Sequence, residues 1–196
     1  MSHELLNRSA DLKRLRDEAY FVQIKGGYLV LRDIPYVNSQ RQVLLGTLIS
    51  SLNLAGDVTQ KPDTHVVYFD GEFPCYADGS PIKAITKSSG NFQLGNGLTA
   101  KHDFSSKPPG GYADYYEKMK TYATILAGPA AQIKSDATAR PFRTPEPEEN
   151  SVFNYTETAS DRVGIGVLTE RLVGERIAII GLGGTGSYIL DLLTRV

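Results

Sequence analysis

The segment Arg176–Val196, RIAIIGLGGTGSYILDLLTRV, constrains this chain more than any other. Ile177–Ile180 is a run of apolar residues, the pattern of a strand buried on both faces of a parallel sheet. Gly181, Gly183 and Gly186 follow as G-x-G-x-x-G. Each glycine has its own physical reason. Gly181 permits the tight turn out of the strand. Gly183 lets backbone approach a phosphate with no Cβ in the way. Gly186 lets the next helix pack closely on the strand. SYILDLLTRV then reads as that helix, with Ile189, Leu190, Leu193 and Val196 apolar. Its first N–H groups and its dipole face the place a phosphate would occupy. The strand–turn–helix context is what gives such a short motif weight. The alternative is a glycine-rich turn with no ligand.

One strand and one helix bury too little surface to hold their own shape. The sequence is therefore expected to be the front of a longer protein, cut inside a nucleotide-binding domain. Its 196 residues suffice for one domain and a piece of another. Apolar residues at 41% and charged residues at 22% fit an ordinary globular protein. The net charge of −1 argues against a nucleic-acid partner, whose footprint is a basic excess. No apolar run approaches the roughly 20 residues of a membrane helix, and the N-terminus lacks the pattern of a secretory signal. No membrane association and a cytoplasmic location are expected. The single cysteine, Cys75, excludes an internal disulfide.

Ahead of the glycine turn, residues 1–138 read as an α+β domain of antiparallel strands plus helices. Residues 9–20 suggest a short helix capped by Ser9, with Leu12, Leu15 and Ala19 on one face. FVQIK (21–25) and YLVLR (28–32) flank Gly26-Gly27 as a tight hairpin. Further strands are expected at 46–54 and 65–69, with shorter ones in IKAI (82–85) and NGLTAKHDF (96–104). The spacing of Tyr115, Met119, Tyr122 and Leu126 predicts a helix over 112–126, stopped by Gly128-Pro129. Residues 139–151, rich in proline and glutamate, read as a solvated linker. Residues 152–196 then open the second domain, with an amphipathic helix expected over 160–173.

Within the first domain several residues are candidates for chemistry. Cys75 sits in a turn after a strand; a thioester-forming thiol needs exposure and a lowered pKa, and the alternative is a buried, inert one. His65 and His102 can pair with Asp63 and Asp103, or can simply be hydrogen-bonded histidines; no short ligand spacing supports a metal. Ser105, Ser106, Lys107 and Gly110-Gly111 precede a helix, which suggests either an anion site or an ordinary cap. Tyr112, Tyr115, Tyr116 and Tyr122 read as core and partner surface.

The turn GLGGTGS, with its additional Gly184 and the following Ser187, resembles that of the ThiF/MoeB family of ATP-dependent adenylyltransferases, which includes the ubiquitin-activating enzymes. LKRLRDEAY, LAGDVTQKPDTHVVYFDGEFPC, FSSKPPGGYADYYEKM and ASDRVGIG are similar to the region found ahead of ThiF-type domains in some bacterial proteins, a region with no established activity. The resemblance implies that 152–196 starts a truncated Rossmann-like α/β domain. It implies ATP contacts from Gly181, Gly183, Gly184, Thr185, Gly186 and Ser187, and from Arg162 on the preceding helix. It implies Mg²⁺, a ubiquitin-like or sulfur-carrier protein as substrate, a conjugating enzyme as a further partner, and a homodimeric parent. The fragment by itself is not expected to catalyse adenylation, because the family's remaining ligands fall beyond Val196. Two other readings stay open. One is a protein-binding module of a ubiquitin-like conjugation system. The other is a fragment of an NAD-dependent oxidoreductase, whose turn is similar.

Overall fold

In the computed structural model, residues 2–56, 58–142, 179–181 and 183–193 are described. The chain divides into two compact units, one spanning Glu4–Pro145 and one spanning Glu146–Val196. The first is an α+β unit on a mostly antiparallel sheet. Its elements run α1 (Ser2–Arg8), α2 (Ala10–Asp17), β1 (Phe21–Lys25), β2 (Tyr28–Val37), β3 (Val43–Ser51), β4 (Leu54–Ala55), β5 (Val58–Thr59), β6 (Val66–Asp70), β7 (Thr86–Gly95), β8 (Leu98–Ser105) and α3 (Tyr115–Ile133). Six strands form one antiparallel sheet in the order β1-β2-β3-β6-β8-β7. The main core lies between one sheet face and the helices. It joins Leu12 and Leu15 of α2, Leu31 and Phe69 of the sheet, and Tyr115 and Met119 of α3. A smaller cluster, Val30, Ile49 and Leu98, is separate from that core; Val30 lies between the core residues Leu29 and Leu31 and so points to the opposite face.

The β1–β2 hairpin turns on Gly26 and Gly27, both with positive φ, which suits a two-residue connection between right-twisted strands. β2 runs five residues past the expected Arg32 because of a bulge. Leu31 pairs with Leu48 but Ile34 pairs with Gly46, so one extra residue is accommodated around Asp33, itself at φ 57°. Pro35 is tolerated there because β1 pairs only with Tyr28–Arg32, so β2 has no β1 partner alongside Pro35.

Other boundaries also shift. The first predicted helix is preceded by α1 and ends at Asp17; Ala19, at φ 67°, lies outside it. Ser9 holds the N-cap position, but its hydroxyl accepts from Thr59 N at 3.1 Å instead of capping. IKAI is not a strand: Lys83 N bonds Pro81 O and Thr86 N bonds Lys83 O, so it turns into β7. α3 starts at Tyr115, where Asp114 caps Glu117 N at 2.7 Å, and runs through Gly128-Pro129 to Ile133. Pro129 forfeits one helix bond, yet Pro129 and Ala130 are buried, and that packing outweighs the local stop signal. Ala139 is buried and Arg140 pairs with Glu18 at 2.8 Å, so both belong to the first unit and not to a solvated linker.

Asp11 ties three elements together. Its Oδ1 accepts from Thr59 Oγ1 at 2.6 Å and Leu12 N at 2.9 Å, and its Oδ2 accepts from Tyr115 N at 3.1 Å. Asp11→Ala is expected to cost about 2–3 kcal/mol in urea unfolding, since the Thr59 hydroxyl of β5 and the buried Tyr115 N–H of α3 lose their shared acceptor. Asp11→Asn should not rescue it, because an amide NH₂ must then face one of those donors. A loss below about 0.5 kcal/mol for either variant would show that the carboxylate is not a tie.

Candidate functional site

The second unit contributes α4 (Thr185–Leu193). The helix begins two residues before the expected Ser187, so Gly186 sits in its first turn. Gly181 has φ 89° and Gly184 has φ 44°, both in the region that favours glycine. A Cβ at Gly186 would run into the carbonyl oxygen of Gly181, so close approach there requires glycine. A Cβ at Gly183 would meet nothing within 4 Å. Gly186 N bonds Gly183 O at 3.0 Å, and Ser187 Oγ donates to Gly184 O at 2.8 Å, closing the turn on the helix start. Thr185 is the first helical residue. Of the expected strand Ile177–Ile180, residues 177 and 178 lie outside the described residues; Ile179 and Ile180 carry no strand pairing, and Ile180 is fully exposed. Arg162 and the expected helix 160–173 lie outside the described residues.

The other candidates separate clearly. Cys75 is buried; its main chain bridges to Val37 and Pro81, and its thiol points at Phe73 O, 3.5 Å away. Burial, with Asp78 as a second cause, pushes the thiol above its usual pKa. It is the inert alternative, not a thiolate nucleophile. His65 Nε2 meets Ser105 Oγ at 2.9 Å, and His102 Nδ1 meets Ser89 Oγ at 2.8 Å, so neither histidine is paired with Asp63 or Asp103. Asp103 instead accepts from Ser88 and pairs with Lys87 at 3.1 Å. Among the described residues no group of three or more His, Cys, Asp or Glu side chains could hold a metal ion. The anion site before α3 is not formed either. Asp114 caps the first turn, and Glu117 accepts from Ala113 N at 2.8 Å, so carboxylates already occupy that helix start.

The tyrosines on α3 are core, as expected, but their hydroxyls do more than fill space. Tyr115 Oη accepts from Asn53 N at 2.7 Å; Tyr122 Oη donates to His65 O and accepts from Ser106 N, both at 2.6 Å. Between them lies Lys118, fully buried, which no local sequence signal distinguishes from a surface lysine. Its ammonium donates to Ser50 Oγ and Thr64 O, each at 2.8 Å. Burial holds its pKa down to about 8, with Asp63 countering in part.

The features above define a class: an α+β domain on a six-stranded antiparallel sheet, accompanied by a glycine turn at a helix start. The chain belongs to the family described as domain of unknown function DUF6791, whose model matches residues 10–158. No curated protein and no solved structure matches the chain. No described helix is long and apolar enough to cross a membrane.

Lys118 gives the first unit a pH dependence. In the unfolded chain the amine keeps its proton up to about pH 10.5; in the fold it releases it near pH 8. The unfolded state therefore binds more protons between those values, and stability rises with pH there. Burial raises the Tyr36, Tyr115 and Tyr122 hydroxyls, so stability is lost again once unfolded tyrosines ionise above about pH 10. Urea unfolding should show a gain of up to roughly 2 kcal/mol between about pH 7.5 and about pH 9.5. Lys118→Met should flatten that slope. An unchanged slope in the variant would remove Lys118 as its source.

Proposed function

We propose that the chain carries the phosphate-binding turn of an ATP-dependent adenylyltransferase acting on the C-terminal carboxylate of a ubiquitin-like or sulfur-carrier protein. The observation that carries this reading is the turn Gly181–Ser187. It combines G-x-G-G-x-G-S with positive φ at Gly181 and Gly184, a required glycine at 186 and a helix start at Thr185. The open space beside Gly183 suits close backbone approach to a phosphate. Tyr188, Ile189 and Leu190 of α4 are exposed, a surface of the kind an adjoining α/β sheet covers.

In this reading the carboxylate oxygen attacks the α-phosphorus of ATP, the bond to the bridging oxygen breaks, and pyrophosphate leaves. The turn's amides and the α4 dipole hold the triphosphate and stabilise its redistributed charge. Mg²⁺ would neutralise the leaving pyrophosphate; none of the described residues is assigned to it. Arg162 is the proposed phosphate contact from outside the turn. Cys75 has no role in the transfer, because its thiol is buried.

Gly183→Ala separates binding from folding. An added methyl meets no protein atom, so the melting temperature should stay within about 2 °C. The same methyl enters the phosphate's space, so ATP binding by the protein should weaken at least about tenfold, or roughly 1.4 kcal/mol. ATP-dependent pyrophosphate exchange should fall in parallel. Binding of NAD in place of ATP would instead favour an oxidoreductase and end this reading.

A further inference from the structure

β7 is the last strand of the sheet, and most of its residues are exposed. On it Ser89 stands directly opposite His102 of β8. The Ser89 residue is exposed, whereas His102 is buried. Their Oγ and Nδ1 lie 2.8 Å apart. A surface hydroxyl thus touches a base sheltered from water.

The imidazole is held firmly. It stacks on Phe104 with an interplanar angle of 6° and meets Phe73 edge-on at 5.3 Å between centroids. The Gly71 main chain favours the protonated ring. Nδ1 is the nitrogen that faces Ser89. We assign the neutral ring's proton to Nε2, which leaves the Nδ1 lone pair aimed at the serine hydroxyl. Burial lowers the ring's pKa, with Lys101 adding to the effect, so the base is neutral at physiological pH.

The main chain beside the serine is also unusual. From Ser89 to Phe92 β7 advances three residues while β8 advances two, from His102 to Ala100. The extra residue falls at Gly90–Asn91, and the free edge of β7 runs alongside. A Cβ at Gly90 would meet nothing within 4 Å, so the space next to Ser89 is open. Ser88, one residue away, is placed differently: it donates to the Asp103 carboxylate at 2.5 Å, which Lys87 also holds. Lys87 and Ser88 keep that carboxylate ionised and occupied, so it is a poor base for the Ser88 hydroxyl.

We infer that Ser89 and His102 form a nucleophile–base pair that takes an acyl group from a small activated ester. The Ser89 Oγ bonds to the ester's carbonyl carbon as its proton passes to His102 Nδ1. The C–O bond to the leaving alcohol breaks, and that alkoxide takes the proton from His102. Water then attacks the acyl-serine, giving its proton to His102; the acid departs and the proton returns to Ser89. The pair lies wholly in the first unit and is independent of the glycine turn.

The test uses the whole chain with an alkyl fluorophosphonate and with p-nitrophenyl acetate, followed by peptide mass mapping. The expected result is a covalent adduct at Ser89 and release of p-nitrophenol. Ser89→Ala should abolish the adduct, and Ser88→Ala should keep it. His102→Gln should slow labelling at least about 100-fold, the usual contribution of a positioned base. A thermal melt shows whether that variant is folded; if it is not, mapping of the unaltered chain decides alone. No adduct at Ser89 in the folded chain, or equal labelling in folded His102→Gln, overturns the proposal.

Discussion

The first unit depends on how α3 buries polar atoms against the sheet. Tyr115, Lys118, Met119 and Tyr122 are all fully buried on one helix face, and three of the four carry a hydrogen-bonding head. Each head reaches main chain or a buried hydroxyl at the far side of the core: Asn53 N, Thr64 O with Ser50 Oγ, and His65 O with Ser106 N. A purely apolar stripe would give the same burial but would lose these ties to the loops, at a net cost of about 0.5–1.5 kcal/mol for each hydrogen bond. The helix therefore also fixes the loops that join β3, β6 and β8 to their neighbours. Asp11 extends the arrangement to α2 and β5.

This arrangement has a consequence for where chemistry can occur. Reactive groups that face the core, Cys75 and Lys118, are sealed in by the same packing and serve the fold. Groups at the sheet's last strand escape it. There β7 bulges away from regular pairing, Phe73 and Phe104 shelter His102, and the serine opposite stays in contact with solvent. The glycine turn of the second unit draws its properties from another source, the backbone freedom of Gly181 and Gly184 and the tight contact at Gly186.

Much of the first unit is legible in local patterns. Gly26-Gly27 between β-prone runs marks the β1–β2 hairpin, and the Tyr115–Leu126 spacing marks α3 and its buried face. The failures share one cause. Pro35 inside β2 and Pro129 inside α3 are local stop signals overridden by packing and by the lack of a neighbour at the affected N–H. The bulge at Asp33 breaks the alternation that would have shown β2 continuing. The contact of Ser89 with His102 joins residues thirteen apart through a register that slips three times along β7 and β8, which no periodicity encodes.

Sequence alone determined the elements whose energetics are local: the two-glycine hairpin, the apolar stripe of α3 and the glycine pattern at 181–187, where the backbone at Gly181, Gly184 and Gly186 suits residues without a Cβ. Tertiary structure alone decided which polar side chains lose water. Lys118 and Lys120 stand two positions apart on one helix, yet the first is buried against Ser50 and Thr64 while the second is half-exposed beside Glu18. Solvation is a property of what packs against a residue, and that is settled by strands far away in the chain.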